Sequence, residues 1–188
     1  MLYSNMPALG EKPAVLYEQA YYPGGQQTAD GRPTDLGYQY AVQNALAQYS
    51  ALAPANNELV IIDVERWHVW PWVEGAAHQT SINKYAEVAQ RTRAGLNQPV
   101  CVYSIAPSAG LLHSNWSVTR PDIRAAWTTH SDMTAQTLVP EVDALCPALY
   151  TYYGGTTAAE LDAAIVQWQT FARETIAEAR RIAPGKPV

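Results

Sequence analysis

Four apolar runs of strand length, each followed by a helical pattern, constrain this chain more than any other feature of it. The runs are Ala14–Gln19 (AVLYEQ), Glu58–Glu65 (ELVIIDVE), Pro99–Ile105 (PVCVYSI) and Val142–Tyr150 (VDALCPALY). The Glu58–Glu65 run has no polar alternation, as expected of a strand covered on both faces in a parallel sheet. Helices are predicted over about Asp35–Leu52, with Asp35 as N-cap, and over Ser81–Leu96. A third runs over Pro121–Leu138, with proline at the favoured first position, and a fourth from a Thr156 or Thr157 cap to about Ala183. In the last helix Leu161, Ile165, Trp168, Ala172 and Ile176 recur at helical spacing. Strand, helix and strand at these separations imply right-handed crossovers and a parallel sheet.

The end of the chain bears on how that sheet closes. Pro184-Gly185 stops the last helix, and Lys186-Pro187-Val188 reads as the first step of a fifth strand. An open parallel sheet would leave unpaired edges, which native proteins cover or close. The expected architecture is therefore the first four β/α units of an eight-stranded (β/α)8 barrel of TIM type. Residues 1–188 then form a single domain, the N-terminal half of that barrel. The rival is a complete four-stranded open α/β domain. A half barrel also predicts self-association through its first and fourth strand edges, and little turnover by the chain on its own.

Composition narrows the function classes. Of 188 residues 48% are hydrophobic and 15% charged, a globular balance. A net charge of -5 provides no electrostatic footprint for nucleic acid. No apolar run reaches membrane-spanning length, so no membrane partner is expected, and Met1–Pro13 lacks the blocks of a signal peptide. Cys101 and Cys146 lie in separate apolar runs without metal-ligand spacing; two buried thiols are expected, with a disulfide as the alternative if their strands adjoin. His68, His78, His113 and His130 show no ligand spacing either, so neither metal nor cofactor is expected. The 12 Tyr and 6 Trp against 1 Phe suit a sugar site, where an apolar ring face and a polar tip are both useful.

In a parallel barrel the chemistry sits at the carboxyl ends of the strands. There the sequence sets Glu18, then Asp63 and Glu65, then Tyr103, then Tyr150 with Tyr152 just beyond. Asp63 and Glu65 are two apart, so they share one face of the strand about 7 Å apart along the backbone. Two such carboxylates resist joint ionisation, which keeps one of them protonated and able to act as an acid. Alternatively they cap the strand end or pair with an arginine such as Arg66. Trp70 and Trp72 could form a stacking platform or pack the loop against the rim.

The ordered set of motifs resembles the glycoside hydrolase family of the animal and venom hyaluronidases. Ile61-Ile62-Asp63-Val64-Glu65-Arg66-Trp67 is similar to the family's apolar run followed by D-x-E-x-W. Tyr21-Tyr22-Pro23 with Gly31-Arg32-Pro33, Tyr103-Ser104-Ile105-Ala106-Pro107 and Ala144-Leu145-Cys146-Pro147-Ala148-Leu149-Tyr150 match its patterns at the other strands. The arginine-rich last helix and the Lys186-Pro187-Val188 ending fit as well. The segment between Trp67 and Gly75 departs from the family spacing, and the family's cysteine framework is absent.

The resemblance implies a substrate-assisted retaining glycosidase, outside the two-carboxylate scheme. Glu65 would be the general acid/base, and Asp63 would orient the substrate's acetamido group. Tyr103, Tyr150, Trp67, Tyr152 and Glu18 would bind sugar. The acidic surface suits a neutral N-acetylhexosamine glycan better than a polyanion. A secreted or periplasmic setting is also implied. The alternative from another class is a non-catalytic carbohydrate-binding or interaction module on the same scaffold.

Overall fold

The computed structural model describes residues 13–21, 35–51, 59–64, 67, 76–108, 121–150 and 154–188, with backbone alone at 19, 35–41 and 76–78. The elements are β1 (Ala14–Tyr17), α1 (Glu18–Tyr21), α2 (Asp35–Ala51), β2 (Val60–Asp63), α3 (Ala76–Leu96), β3 (Val100–Val102), α4 (Pro121–Thr137), a 3-10 turn over Val139–Glu141, and α5 (Ala158–Ile182). The three strands form one parallel sheet in the order β1-β2-β3. Backbone bonds extend the ladder past the strand ends, from Ala14 N–H to Leu59 O (3.0 Å), Val60 N–H to Pro99 O (2.9 Å) and Tyr103 N–H to Ile62 O (2.9 Å).

The expected four β/α units of a barrel are corrected to this three-stranded sheet flanked by helices. The fourth run, Val142–Tyr150, does follow β3, but only Tyr103 and Cys146 form a parallel bridge. Local chemistry explains why pairing goes no further. The N–H groups of Asp143 (2.8 Å) and Ala144 (3.4 Å) both point at the single carbonyl of Val100. Pro147 has no N–H to give. On the other side Ser104 takes a left-handed conformation (φ 62°), so β3 cannot continue as an extended strand beyond Tyr103. The outer side of the run is used as well, since Leu145 N–H donates to Pro187 O at 2.9 Å.

β1 is shorter than its apolar run, because Glu18 already begins α1. That helix is anchored by Asn44 Nδ2, which donates to Ala20 O at 2.7 Å, and by Tyr21, whose hydroxyl bonds Thr92 Oγ1 at 3.2 Å. Tyr21 is fully buried, and that desolvation pushes its phenol well above the ordinary range.

One face of the sheet (Ala14, Leu16, Val60, Ile62, Val100, Val102) lies in the main core with Ile82, Tyr85, Val88 and Ala89 of α3. The other face carries Val15, Tyr17, Ile61 and Asp63, all half-buried, and the buried Cys101. The uniformly apolar β2 run therefore belongs to a strand deeply covered on one side. Cys101 and Cys146 are joined in a disulfide, with Cα atoms 5.9 Å apart, where two thiols were expected. The adjacency of β3 and the Cys146 segment brings the sulfurs together. Among the described residues no helix is long and apolar enough to cross a membrane.

Candidate functional site

The carboxyl ends of the three strands gather the polar and aromatic side chains of the half-buried face. β2 lies in the middle and ends on Asp63, whose register partner on β1 is Tyr17. Ile62 is paired with Val102, so the same register carried one residue further sets Tyr103 alongside Asp63. A carboxylate thus stands between two tyrosines at the carboxyl end of the parallel sheet. Asp63 can accept hydrogen bonds there, while the phenols supply both a ring face and an O–H.

Tyr103 and Tyr150 form an edge-to-face pair with ring centroids 6.0 Å apart and planes at 62°. Tyr150 is 59% exposed, a large ring held at the surface by a neighbour rather than covered. Both rings are positioned by their surroundings. Tyr103 packs against a small cluster of Trp127, Ala148 and Phe171, which Leu149 and Trp168 also join. Trp168 Nε1 donates to Leu149 O at 3.0 Å, fixing the backbone beside Tyr150. The turn after Tyr103 is fastened to α4 by two ring nitrogens one turn apart: Trp127 Nε1 donates to Ser108 O (2.9 Å), and His130 Nε2 bonds Ile105 O (3.0 Å). The disulfide ties Cys101, two residues before Tyr103, to Cys146, four before Tyr150. The two tyrosines therefore ride on cross-linked segments.

The remaining sequence-predicted site residues fall elsewhere. Glu18 is half-buried and opens α1 rather than ending a strand. Trp67 is only 5% exposed, and its ring meets Tyr85 edge-on at 5.0 Å. The Tyr85 hydroxyl donates to Val64 O and to Trp67 O, so this tryptophan is set in the core beneath β2. Glu65 and Tyr152 lie outside the described residues, as do Arg66, Trp70 and Trp72. No group of three or more histidine, cysteine, aspartate or glutamate side chains suited to a metal is present among the described residues.

Tyr17 was missed by the sequence reading, which carried strand one through Glu18 and Gln19. Side-chain alternation holds the signal: in AVLYEQ the polar tip of Tyr17 shares a face with Val15, opposite the core residues Ala14 and Leu16. Trp168 was read only as one of the apolar residues recurring at helical spacing, and its role as a support for Leu149 needed the tertiary structure.

Compared with family models, curated proteins and solved structures, the chain matches none.

Proposed function

We propose that the chain is a glycoside hydrolase acting on N-acetylhexosamine-containing glycans by substrate-assisted retention. The observation that supports this reading is the juxtaposition of Asp63 with Tyr17 and Tyr103 at the strand ends, beside the exposed ring of Tyr150. In this scheme Glu65, two residues beyond Asp63, gives its proton to the glycosidic oxygen as that bond breaks. The substrate's acetamido carbonyl oxygen attacks the anomeric carbon in place of a protein nucleophile. Asp63 accepts a hydrogen bond from the acetamido N–H and stabilises the positive charge that develops on the resulting oxazolinium. Water, deprotonated by the Glu65 carboxylate, then opens the ring and returns the acetamido group. Tyr103 and Tyr150 supply the ring edge and face against which the sugar lies.

The test is a comparison of two substrates. General acid catalysis typically contributes ~10²–10⁴-fold, so Glu65→Gln should slow cleavage of an N-acetylglucosamine oligosaccharide by about that factor. It should affect an activated aryl N-acetylglucosaminide much less, because that leaving group needs little protonation. Asp63→Asn should slow both substrates alike. Full activity of Glu65→Gln on the oligosaccharide overturns the assignment. The exposure of Tyr150 favours one second reading, a non-catalytic sugar-binding module on the same surface. Calorimetric titration separates the two: sugar binding that is lost in Tyr150→Ala yet unchanged in Asp63→Asn and Glu65→Gln selects the module.

A further inference from the structure

The Cys101–Cys146 bond starts from the half-buried face of the sheet, the face that carries the candidate site. Val100 and Val102, on either side of Cys101 in β3, point the other way into the main core. Neither cysteine belongs to that core, so the packing of the sheet on α3 does not run through the bond. The strand-end tyrosines do depend on it. Cys101 stands two residues before Tyr103 and Cys146 four before Tyr150, and Tyr103 and Cys146 form the bridge by which the Cys146 run meets β3. The other ties of this run to its surroundings are non-covalent. Among them are Ser104 N–H to Cys146 O at 2.8 Å and Trp168 Nε1 to Leu149 O at 3.0 Å.

The two sulfurs are unequally placed. Cys101 is fully buried, whereas Cys146 is half-buried. Exchange requires a thiolate to reach one sulfur of the bond, so access selects Cys146 as the point of attack. We propose that the disulfide is a reversible thiol switch for the Tyr103–Tyr150 pair, opened at Cys146 by a dithiol reductant and closed again by exchange with a disulfide oxidant. One thiolate of the reductant attacks Cys146 Sγ; the Cys101–Cys146 bond breaks, and its electron pair leaves on Cys101 Sγ, which takes up a proton. The second thiolate attacks the reductant's sulfur in the mixed disulfide, completing the reductant's own disulfide. Cys146 is released as a thiolate and is protonated in turn, so two electrons have passed to the protein. With the bond gone, the Tyr150 segment loses its covalent tie to β3 and the ring pair opens. The consequence for sugar rests on the glycosidase reading above; the opening of the pair does not.

Proton NMR of the whole chain, oxidised and in dithiothreitol, tests this, with far-UV circular dichroism to follow the helices. The oxidised chain should show nuclear Overhauser contacts between the Tyr103 and Tyr150 rings. The reduced chain should keep its helices, lose those contacts and regain them on reoxidation. Cys101→Ala/Cys146→Ala should lack them in both media. Brief treatment with glutathione and an acid quench should place the mixed disulfide on Cys146. In the slow-turnover Glu65→Gln background, affinity for an N-acetylglucosamine oligosaccharide should fall about 2–10-fold on reduction, the weight of one aromatic contact. Ring contacts that survive reduction, a loss of helix throughout the chain, glutathione on Cys101, or a sugar affinity indifferent to reduction overturns the proposal. Ring contacts that open and close in a chain that binds no sugar in either state uphold the switch and overturn the glycan reading instead.

Discussion

Glu160 fixes a helix end with one exposed carboxylate. Its Oε2 accepts from Thr156 N–H (2.8 Å), Thr157 N–H (3.0 Å) and the Thr156 hydroxyl (3.0 Å), while Thr157 Oγ1 accepts from Glu160 N–H. The backbone N–H donors of Thr156 and Thr157 are the chief reason its carboxyl is lowered to about 2 from the ordinary 4.5. The folded value lies below the unfolded one, so the cap's contribution is present above about 4.5 and is lost as pH falls from there through about 2. Carbon-13 titration of the Glu160 carboxyl should show that low midpoint, and Glu160→Gln should abolish the acid fraying of the first turn of α5. A midpoint near 4.5 would mean that the box is open in solution. The cap was legible only as Thr156 or Thr157; Glu160, three residues after Thr157, is the local signature that selects between them. Asp63 was legible for a similar reason, a carboxylate closing an apolar run. Its tyrosine neighbours were not, because register is a tertiary property and the sequence does not say where β1 stops.

At the scale of elements, the turn into α5 depends on a missing side chain. A Cβ on Gly155 would sit 2.3 Å from Glu160 Cβ, 2.8 Å from Glu160 C and 3.0 Å from Leu161 N. The obstacles include helix backbone, which cannot swing aside, so Gly155→Ala should cost about 1–3 kcal/mol in urea unfolding. Gly154→Ala meets nothing within 4 Å and should stay within about 0.5 kcal/mol of wild type. Equal effects of the two would show that the turn repacks freely. The helices were read closely from their end signals: α2, α4 and α5 begin and end within a residue or two of expectation, and α3 starts five residues earlier. The strands were read less well. Val142–Tyr150 has a strand's composition, but Pro147 and the left-handed Ser104 limit it to one bridge, and only pairing geometry reveals that.

For the whole molecule, the main cross-link is the Cys101–Cys146 disulfide, which closes a loop of sequence separation 45 around α4. Loop-closure entropy for that length corresponds to about 4 kcal/mol of constraint on the unfolded chain, before any native-state effects. Urea unfolding with and without dithiothreitol should therefore differ by roughly 2–4 kcal/mol, and Cys101→Ala/Cys146→Ala should behave like the reduced protein. Coincident curves would show that the bridge does not form. Such a bond persists in an oxidising medium and is lost in a reducing one. The pairing was open in the sequence because the two cysteines belong to different β/α units, and only the adjacency of β3 and the Cys146 segment decides it. The same bond divides the chain under tension. A pull applied at the two ends passes from Cys101 straight to Cys146, so the segment between them, with Tyr103, α4 and the 3-10 turn, carries no load. About 150 Å of contour length stays hidden until the sulfurs part, at 3.3–3.6 Å for each of roughly 45 residues. The oxidised chain should thus stretch to a shorter limit than the reduced one by about that length, with α4 sheltered inside the difference.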